Sequence, residues 1–442
     1  MKNKEQLQLA LDSICIYKNL FNEGVGKYLT EMTDKLNNKE EFGKVERAYN
    51  DLVYALFSKS ENLSLREYFI KEMLLDHNPF NVTLENKGEV PLFIMDGLKN
   101  ELKQLNSIMN LNSKEVKAIF MQEYGDNKKI AKQIDNLIDW GVSKATYKAS
   151  NNTQFEKLRE ELIKSENIAD YLEEIKDFHR EHGTGRAPAF SAFIWERFEN
   201  EEEGHLREVL EPDPIRLSEL VGYEEQKKEI IENTENFLNG IPANNLLLYG
   251  SRGTGKSSTV KAILNEYYTQ DLRLIEVDKE QLSDFTRIIR LLKHKKQKFI
   301  IFVDDLVFSE NEASYSALKT ILEGRVENRP NNILIYATTN RRHLVQEKFS
   351  DRDDVYAHDT KEEQLSLADR FGITISFFAP NQKEFLNIVD GIVKTRGLEV
   401  DEQYLHSEAL KWEKWHNGRS PRSAKQFINW LEGELQRKSE DK

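Results

Sequence analysis

The chain has 442 residues, of which 31% are charged and 39% are hydrophobic, and its formal net charge is −13. The apolar share supports packed cores and excludes a globally disordered chain. The acidic balance argues against a dedicated binder of nucleic acid or of anionic membranes. Because only 21 glycines and 9 prolines are present, we expect a helix-rich chain. The length predicts two or three domains.

Signals for export or membrane insertion are absent from the sequence. Cys15 is the single cysteine, which excludes an internal disulfide and fits a reducing compartment. The residues after Met1 lack the apolar core of a signal peptide, and no run approaches the ~18 apolar residues of a membrane span. We therefore expect a cytoplasmic protein.

Residues 1–181 carry a helical pattern. Apolar residues recur at three- and four-residue spacing, as in Leu158, Leu162 and Ile168, with Lys and Glu between them. No catalytic constellation occurs here, so we interpret this part as an all-helical domain whose surface recognises an unknown protein partner. Residues 182–211 follow as a linker: a Gly- and Pro-containing cluster precedes an aromatic segment, Phe190 to Phe198, in which we expect a short helix.

Residues 212–379 alternate between strand-like and helical patterns, which predicts a parallel sheet covered on both faces. The predicted strands are Leu246–Tyr249, Leu272–Val277, Phe299–Val303, Ile333–Ala337 and Ile373–Phe378. Residues 380–442 again read as helices and form a small C-terminal helical domain.

The strongest motif is Gly250–Ser257, which matches G-x-x-x-x-G-K-[ST] between a predicted strand and a predicted helix. Such a loop turns backbone N–H groups and a helix N-terminus toward phosphates. Lys256 is expected to reach the β- and γ-phosphates, and the Ser257 hydroxyl to ligate Mg²⁺. The predicted nucleotide-binding residues of the loop are Gly250, Ser251, Arg252, Gly253, Thr254, Gly255, Lys256, Ser257 and Ser258. A loop that binds nucleotide without hydrolysing it would carry the same motif.

A second motif is the apolar strand that ends in Asp304 and Asp305. Ligand chemistry in α/β sheets lies at the carboxyl ends of strands. We expect Asp304 to hold Mg²⁺ together with Ser257, and Asp305 to polarise the attacking water.

Together these motifs resemble the AAA+ ATPases over residues 212–435. The resemblance implies a parallel five-stranded sheet in the order 5-1-4-3-2 with a C-terminal helical lid. It also implies that Val221 and Gly222 contact adenine. The strand ending in Thr338, Thr339 and Asn340 is similar to the sensor 1 strand, with Asn340 between the acidic strand end and the γ-phosphate.

Two arginines complete the resemblance. Arg370, just before the last strand, matches the arginine finger that AAA+ proteins project into a neighbouring subunit's site. Arg422 resembles the sensor 2 arginine of the lid, and Arg419 is its competitor. The whole arrangement is similar to an uncharacterised bacterial family of AAA+ ATP-binding proteins with a helical N-terminal half.

One position departs from the AAA+ pattern, because most active members carry Glu where this chain has Asp305. The aspartate carboxylate lies about 1.5 Å further from the water, one carbon–carbon bond. Slow hydrolysis is therefore one expectation, and Glu310 is an alternative water-polarising residue.

The sequence thus predicts an ATPase that uses ATP and Mg²⁺ in a homo-oligomeric ring or filament, with six subunits expected, to remodel or regulate a protein partner. Two alternatives stay open. One is an ATP-dependent switch or scaffold with little hydrolysis, which the short Asp305 favours. The other is a nucleic-acid remodeller, suggested by a basic stretch in the lid that contains Lys411, Lys414, Arg419, Arg422 and Lys425.

Overall fold

The computed structural model describes residues 3–59, 64–141, 152–197, 204–307, 318–319, 322, 330–340, 370–416 and 418–440. The chain divides into two compact units, Met1–Phe190 and Ser191–Lys442. No helix in the described ranges is both long enough and apolar enough to cross a membrane. The division of the sequence at 182, 212 and 380 stays a prediction.

The first unit is helical throughout its described residues, which confirms the helical N-terminal region. Its helices are α1 Lys4–Asp12, α2 Gly24–Asn37, α3 Phe42–Lys59, α4 Leu65–Leu75, α5 Pro79–Lys87, α6 Leu92–Met109, α7 Ser113–Tyr124, α8 Lys128–Asp135, α9 Thr153–Lys164 and α10 Leu172–His182. Their termini follow from local capping. In α7, for example, the Asn112 side chain accepts from the Glu115 backbone while the Glu115 carboxylate accepts from the Asn112 backbone.

A buried carboxylate also fixes the turn that follows α1. Glu101 on α6 accepts backbone N–H groups from Cys15, Ile16 and Tyr17 at 2.7–3.0 Å. Three such bonds compensate for burying the charge. We therefore interpret Glu101 as a structural residue of the helical unit.

The second unit is built on a mostly parallel sheet with helices around it. Its strands are β1 Ala192–Glu196, β2 His205–Glu208, β3 Asn245–Gly250, β4 Leu272–Glu276, β5 Lys298–Val303, β6 Ile333–Thr339 and β7 Gly372–Phe377. Its helices are α11 Glu224–Leu238, α12 Lys256–Tyr267, α13 Phe285–Leu292, α14 Gln382–Arg396, α15 Glu402–Trp415 and α16 Pro421–Glu440. The predicted mixed α/β fold is confirmed.

The predicted five-stranded sheet in the order 5-1-4-3-2 is wrong in strand count and in overall order, because two strands are added beside β4. The five predicted strands, read from β7 through β3, β6 and β5 to β4, keep their predicted relative order. The sheet has seven strands in the order β2-β1-β4-β5-β6-β3-β7. The two additional strands come from residues expected to form a linker with a short helix, and Ala192–Glu196 forms strand β1 instead. This strand pairs parallel with β4 and antiparallel with β2.

Side-chain burial explains why β1 joins the sheet. Phe193 and Trp195 alternate with less buried residues, as in a strand with one apolar face. The Trp195 indole N–H donates to the Asp284 carboxylate at 3.1 Å, next to α13, and Arg197 pairs with the same carboxylate at 2.9 Å. Strand β1 is thereby attached to the helix layer as well as to β4.

The C-terminal helices α14, α15 and α16 pack around a small apolar core of their own. That core contains Phe385, Ile388, Val389, Leu405, Ala409, Ala424, Phe427, Ile428 and Leu431. Val221, from the segment ahead of α11, packs against it. The helical lid is therefore in contact with the segment that precedes α11.

Candidate functional site

The loop between β3 and α12 has a backbone that glycine alone adopts without strain. Gly250, Gly253 and Gly255 have φ values of 132°, 74° and 95°. A Cβ at Gly250 would lie 2.2 Å from the Phe377 carbonyl oxygen of β7. The Ser251 N–H donates to that oxygen at 2.8 Å. The loop is thereby held against β7, and α12 starts directly after it with its positive dipole end toward the loop.

Lys256 lies in the middle of the site and is almost fully buried. Its ammonium group donates to the carbonyl oxygens of Gly250 and Ser251 at 3.0 and 2.8 Å, and to Asn340 Oδ1 at 3.0 Å. Burial lowers the pKa of Lys256, because water is removed from the charged form. The lysine is thus held at the loop by three acceptors, none of which is a carboxylate.

Asp304, at the carboxyl end of β5, lies beside the first turn of α12. The Ser257 hydroxyl donates to Asp304 Oδ1 at 2.6 Å, and the Thr338 hydroxyl donates to the same oxygen. A serine hydroxyl and a carboxylate are hard oxygen ligands of the kind Mg²⁺ prefers. The donor set therefore fits a magnesium ion, with Ser257 and Asp304 as the residues that would hold it.

Asn340 connects Asp305 with Lys256. Its Nδ2 donates to Asp305 Oδ1 at 2.7 Å while its Oδ1 accepts from Lys256. One amide at the end of β6 therefore touches both the cation of the loop and the second acid of β5. This position lies where the sequence places a sensor of the γ-phosphate.

A cavity of about 970 Å³ connects the loop, the two acids and the lid. At the loop end it is lined by Arg252, Gly253, Thr254, Gly255, Lys256, Ser257, Ser258, Asp304, Asp305 and Asn340. At the other end it is lined by Val221, Gly222, Tyr223, Ile388 and Ile392, among others. One end is polar and charged and the other largely apolar, which suits a phosphate chain joined to a base.

The apolar end of the cavity depends on close packing between Val221–Gly222 and helix α14. A Cβ at Gly391 would lie 2.4 Å from Val221 Cγ1, so this helix position has room for hydrogen only. A Cβ added at Gly222 would lie 3.2 Å from Ile388 Cγ1, which is also a tight contact. The two residues expected to contact adenine therefore lie at the boundary between the α/β part and the lid.

The two candidate lid arginines have different surroundings. Arg422 lines the cavity, and its backbone N–H donates to the Gly253 carbonyl oxygen at 3.1 Å. Arg419 forms an ion pair with Glu413 at 2.8 Å and is not among the residues that line the cavity. Arg422 is therefore the candidate lid arginine that lies at the cavity.

Arg370 lies elsewhere. It precedes β7 by two residues, whereas the phosphate-binding loop follows the carboxyl end of the parallel neighbour β3. Six strand residues span about 20 Å, so Arg370 lies near the amino ends of β3 and β7, whereas the loop lies at their carboxyl ends. The role of Arg370 as an arginine finger stays a prediction. Glu310 lies outside the described residues.

The sequence did not single out several residues that the structure brings to the site. Thr338 contacts both acids, Tyr223 donates its hydroxyl to the Phe378 carbonyl oxygen at 2.6 Å, and Ile392 lines the apolar end. The signal in the sequence for Thr338 is its position near the end of β6, two residues before Asn340.

The loop after β3, the acidic end of β5 and the helical lid define a P-loop NTPase of the AAA+ superfamily. Residues 188–435 match the family described as protein of unknown function (DUF815). This match covers more than half of the chain, and the chain belongs to that family.

Partial relatives are known among curated proteins. A stretch of 159 residues is 29% identical to a proteasome-activating nucleotidase of Saccharolobus islandicus, over 30% of this chain and 40% of that protein. A stretch of 119 residues is 29% identical to a replication factor C large subunit of Staphylothermus marinus, over 26% and 28%. The chain thus spans less than half the length of these two relatives.

Among solved structures, the chain is similar to the RuvB Holliday junction branch migration motor of Thermotoga maritima. The sequence identity is 19% and the TM-score is 0.33, with 48% of this chain and 62% of that chain covered.

Proposed function

We propose that this protein is a cytoplasmic Mg²⁺-dependent ATPase that couples ATP hydrolysis to rearrangement of its lid and its helical N-terminal unit. The observation that carries the proposal is the convergence of Lys256, Ser257, Asp304, Asp305 and Asn340 at one end of a nucleotide-sized cavity. A structural role alone would not require a buried lysine beside two carboxylates at a glycine loop.

The contacts suggest how each side chain contributes. Lys256, now bonded to loop carbonyl oxygens and Asn340, is positioned to exchange these neutral acceptors for the anionic oxygens of the phosphates. Asp305 polarises the attacking water, and Asn340 sets the position of its carboxylate. Bound Mg²⁺ would supply charge neutralisation at the phosphates, held by Ser257 and Asp304.

The position of Arg370 supports a multi-subunit site. Because it lies at the amino end of β7, away from the loop at the carboxyl end of β3, we propose that it stabilises the transferred phosphoryl group in a neighbouring subunit. Repetition of this contact gives a ring if the rotation closes and a filament if it does not, and we expect a ring of six subunits. The helical N-terminal unit would then present its surface to a protein partner.

Phosphate release at saturating ATP tests the proposal. We expect wild-type protein to release phosphate in a Mg²⁺-dependent manner, and Asp305→Asn to bind ATP without releasing phosphate. Wild-type protein that binds ATP but releases no phosphate above background would contradict the ATPase proposal.

The second candidate is an ATP-dependent switch with little hydrolysis. Asp305 favours it, because this acid is one methylene shorter than glutamate and its carboxylate is already bonded to Asn340. A switch would release no phosphate in the same assay. In separate measurements it would assemble or bind its partner only when ATP is present.

The contacts give a nucleic-acid remodeller less support. Two members of the basic stretch in the lid are paired with acids: Lys411 with Glu408 at 2.6 Å and Arg419 with Glu413 at 2.8 Å. Salt-dependent binding to DNA would support the hypothesis of a nucleic-acid remodeller.

A further inference from the structure

The regular pairing of β5 with β6 ends at Val303, directly before Asp304 and Asp305. Phe299 lies opposite Ile333, and its N–H donates to the Asn332 carbonyl oxygen at 2.8 Å. In a regular parallel ladder every second residue repeats this bond, which would pair the Asp305 N–H with the Thr338 carbonyl oxygen. The donor to that oxygen is instead the N–H of Leu306, at 2.7 Å. One extra residue therefore lies directly after the end of β5 at Val303, and we call this irregular segment, Asp304–Leu306, the bulge.

The bulge changes the backbone of Asp305. Its φ is +50°, in the left-handed region that few residues other than glycine enter, although aspartate tolerates it better than most. Its N–H no longer has the ladder acceptor. It points instead to the Thr338 hydroxyl oxygen at 3.0 Å and to Asp304 Oδ1 at 3.2 Å.

A single buried hydroxyl group therefore contacts both acids. Thr338 is almost fully buried, and its hydroxyl donates to Asp304 Oδ1. The Thr338 hydroxyl oxygen also accepts from the Asp305 backbone N–H. A hydroxyl has one hydrogen to donate and two lone pairs to accept with, so both bonds form together. The side chain thus connects the metal-ligand candidate to the displaced backbone of the water-polarising candidate.

We propose that Thr338 is a positioning residue for the ATPase reaction. Its hydroxyl holds the bulge in which Asp304 faces Ser257 while the Asp305 carboxylate turns toward Asn340. The inference rests on the proposed function.

Three substitutions test this role. Thr338→Val keeps the shape of the side chain and suits a strand, but it neither donates nor accepts a hydrogen bond. Thr338→Ser restores the hydroxyl. Thr234→Val is the matched control, because Thr234 is also a buried threonine whose hydroxyl contacts β6, through Tyr336 at 2.8 Å, but not the acids.

The assays measure kcat for phosphate release, the Mg²⁺ concentration for half-maximal rate, and the affinity for a fluorescent ATP analogue with Mg²⁺ or with EDTA. For Thr338→Val we expect kcat to fall by about 10- to 100-fold, the range typical for loss of a residue that orients metal ligands. The Mg²⁺ requirement should rise, and affinity in EDTA should stay within about threefold of wild type, since no phosphate contact is removed. Thr338→Ser and Thr234→Val should both resemble wild type.

If Thr338→Val and Thr234→Val show the same kcat and the same Mg²⁺ requirement, the positioning role is wrong. This outcome differs from failure of the ATPase proposal, in which wild-type protein itself does not release phosphate. In that case the binding assay still decides. The role of Thr338 then predicts that Mg²⁺ strengthens nucleotide binding less in Thr338→Val than in Thr234→Val, and equal strengthening would overturn it.

Discussion

The packing of Val221 against Gly391 yields a sharp prediction about nucleotide affinity. Gly391 lies in the interior of α14, and the Cβ of Gly391→Ala would meet Val221 Cγ1 at 2.4 Å and Cγ2 at 3.0 Å. Carbon atoms normally pack at about 3.5–4.0 Å, so the helix and the Val221 segment must separate by about 1 Å. That separation opens the apolar end of the cavity without touching the phosphate-binding loop.

The magnitude follows from two opposing effects on stability. Overpacking of this kind costs about 1–3 kcal/mol, and replacing glycine by alanine in a helix contributes about 1 kcal/mol of stability. The free energy of unfolding should therefore fall by about 0–2 kcal/mol. ATP binding gains nothing from helix propensity. If the whole overpacking energy weakens ATP binding, the ATP dissociation constant rises about 5- to 150-fold, since about 1.4 kcal/mol corresponds to a factor of ten.

Chemical denaturation and titration with a fluorescent ATP analogue measure the two quantities separately. Gly433→Ala is the matched control, because Gly433 also lies in a lid helix and its added Cβ would have only the end of Arg437 within reach, at 4.0 Å. The control should gain stability and bind ATP like wild type. If Gly391→Ala binds ATP as tightly as Gly433→Ala, the Val221 segment is not a wall of the nucleotide site.

Three further predictions concern assembly, partner capture and stability. Arg370→Ala and Lys256→Ala should each be inactive in phosphate release, but a mixture of the two should regain part of the activity if Arg370 acts in trans; an inactive mixture argues against this. Asp305→Asn with ATP should retain a partner during affinity capture that Lys256→Ala does not; equal recovery would contradict ATP-dependent binding. Trp195→Phe should lower the free energy of unfolding by about 1.5–3 kcal/mol in urea, because Asp284 loses a buried donor; an unchanged midpoint would refute that contribution.

Local signals in the sequence predict the fold near the loop well. Local residue patterns predict the strand at Leu246–Tyr249, the glycine loop and the helix after it, because each of these elements depends mainly on nearby residues. The helices of the first unit follow in the same way from apolar spacing. The fold class and the AAA+ superfamily are therefore accessible from sequence.

The added strands β1 and β2 are not accessible in that way. The aromatic residues of β1 are few and closely spaced, so Phe190 and Phe193 fit a helical spacing as well as Phe193 and Trp195 fit a strand. Strand β2, His205–Glu208, has a single apolar residue and lies at the edge of the sheet. Strand β1 joins the sheet by pairing with β4, which is distant in sequence, and β2 joins it through β1.

The site shows the same limit. Motifs identify Lys256 and Asp304 because their spacing to glycines and to an apolar strand is local. The contacts of Thr338 depend on the bulge at Asp304–Leu306, and no spacing within β5 or β6 predicts it. Side chains that orient catalytic groups are therefore harder to find from sequence than the groups themselves.

Phosphate release from the Lys256→Ala variant tests the central claim most directly. Lys261→Ala is its control, since this lysine lies on the same helix α12 but does not line the cavity. At saturating ATP and Mg²⁺, we predict that wild type and Lys261→Ala release phosphate at similar rates and that Lys256→Ala does not exceed background. Equal phosphate release by Lys256→Ala and wild type would contradict an ATPase site at this loop.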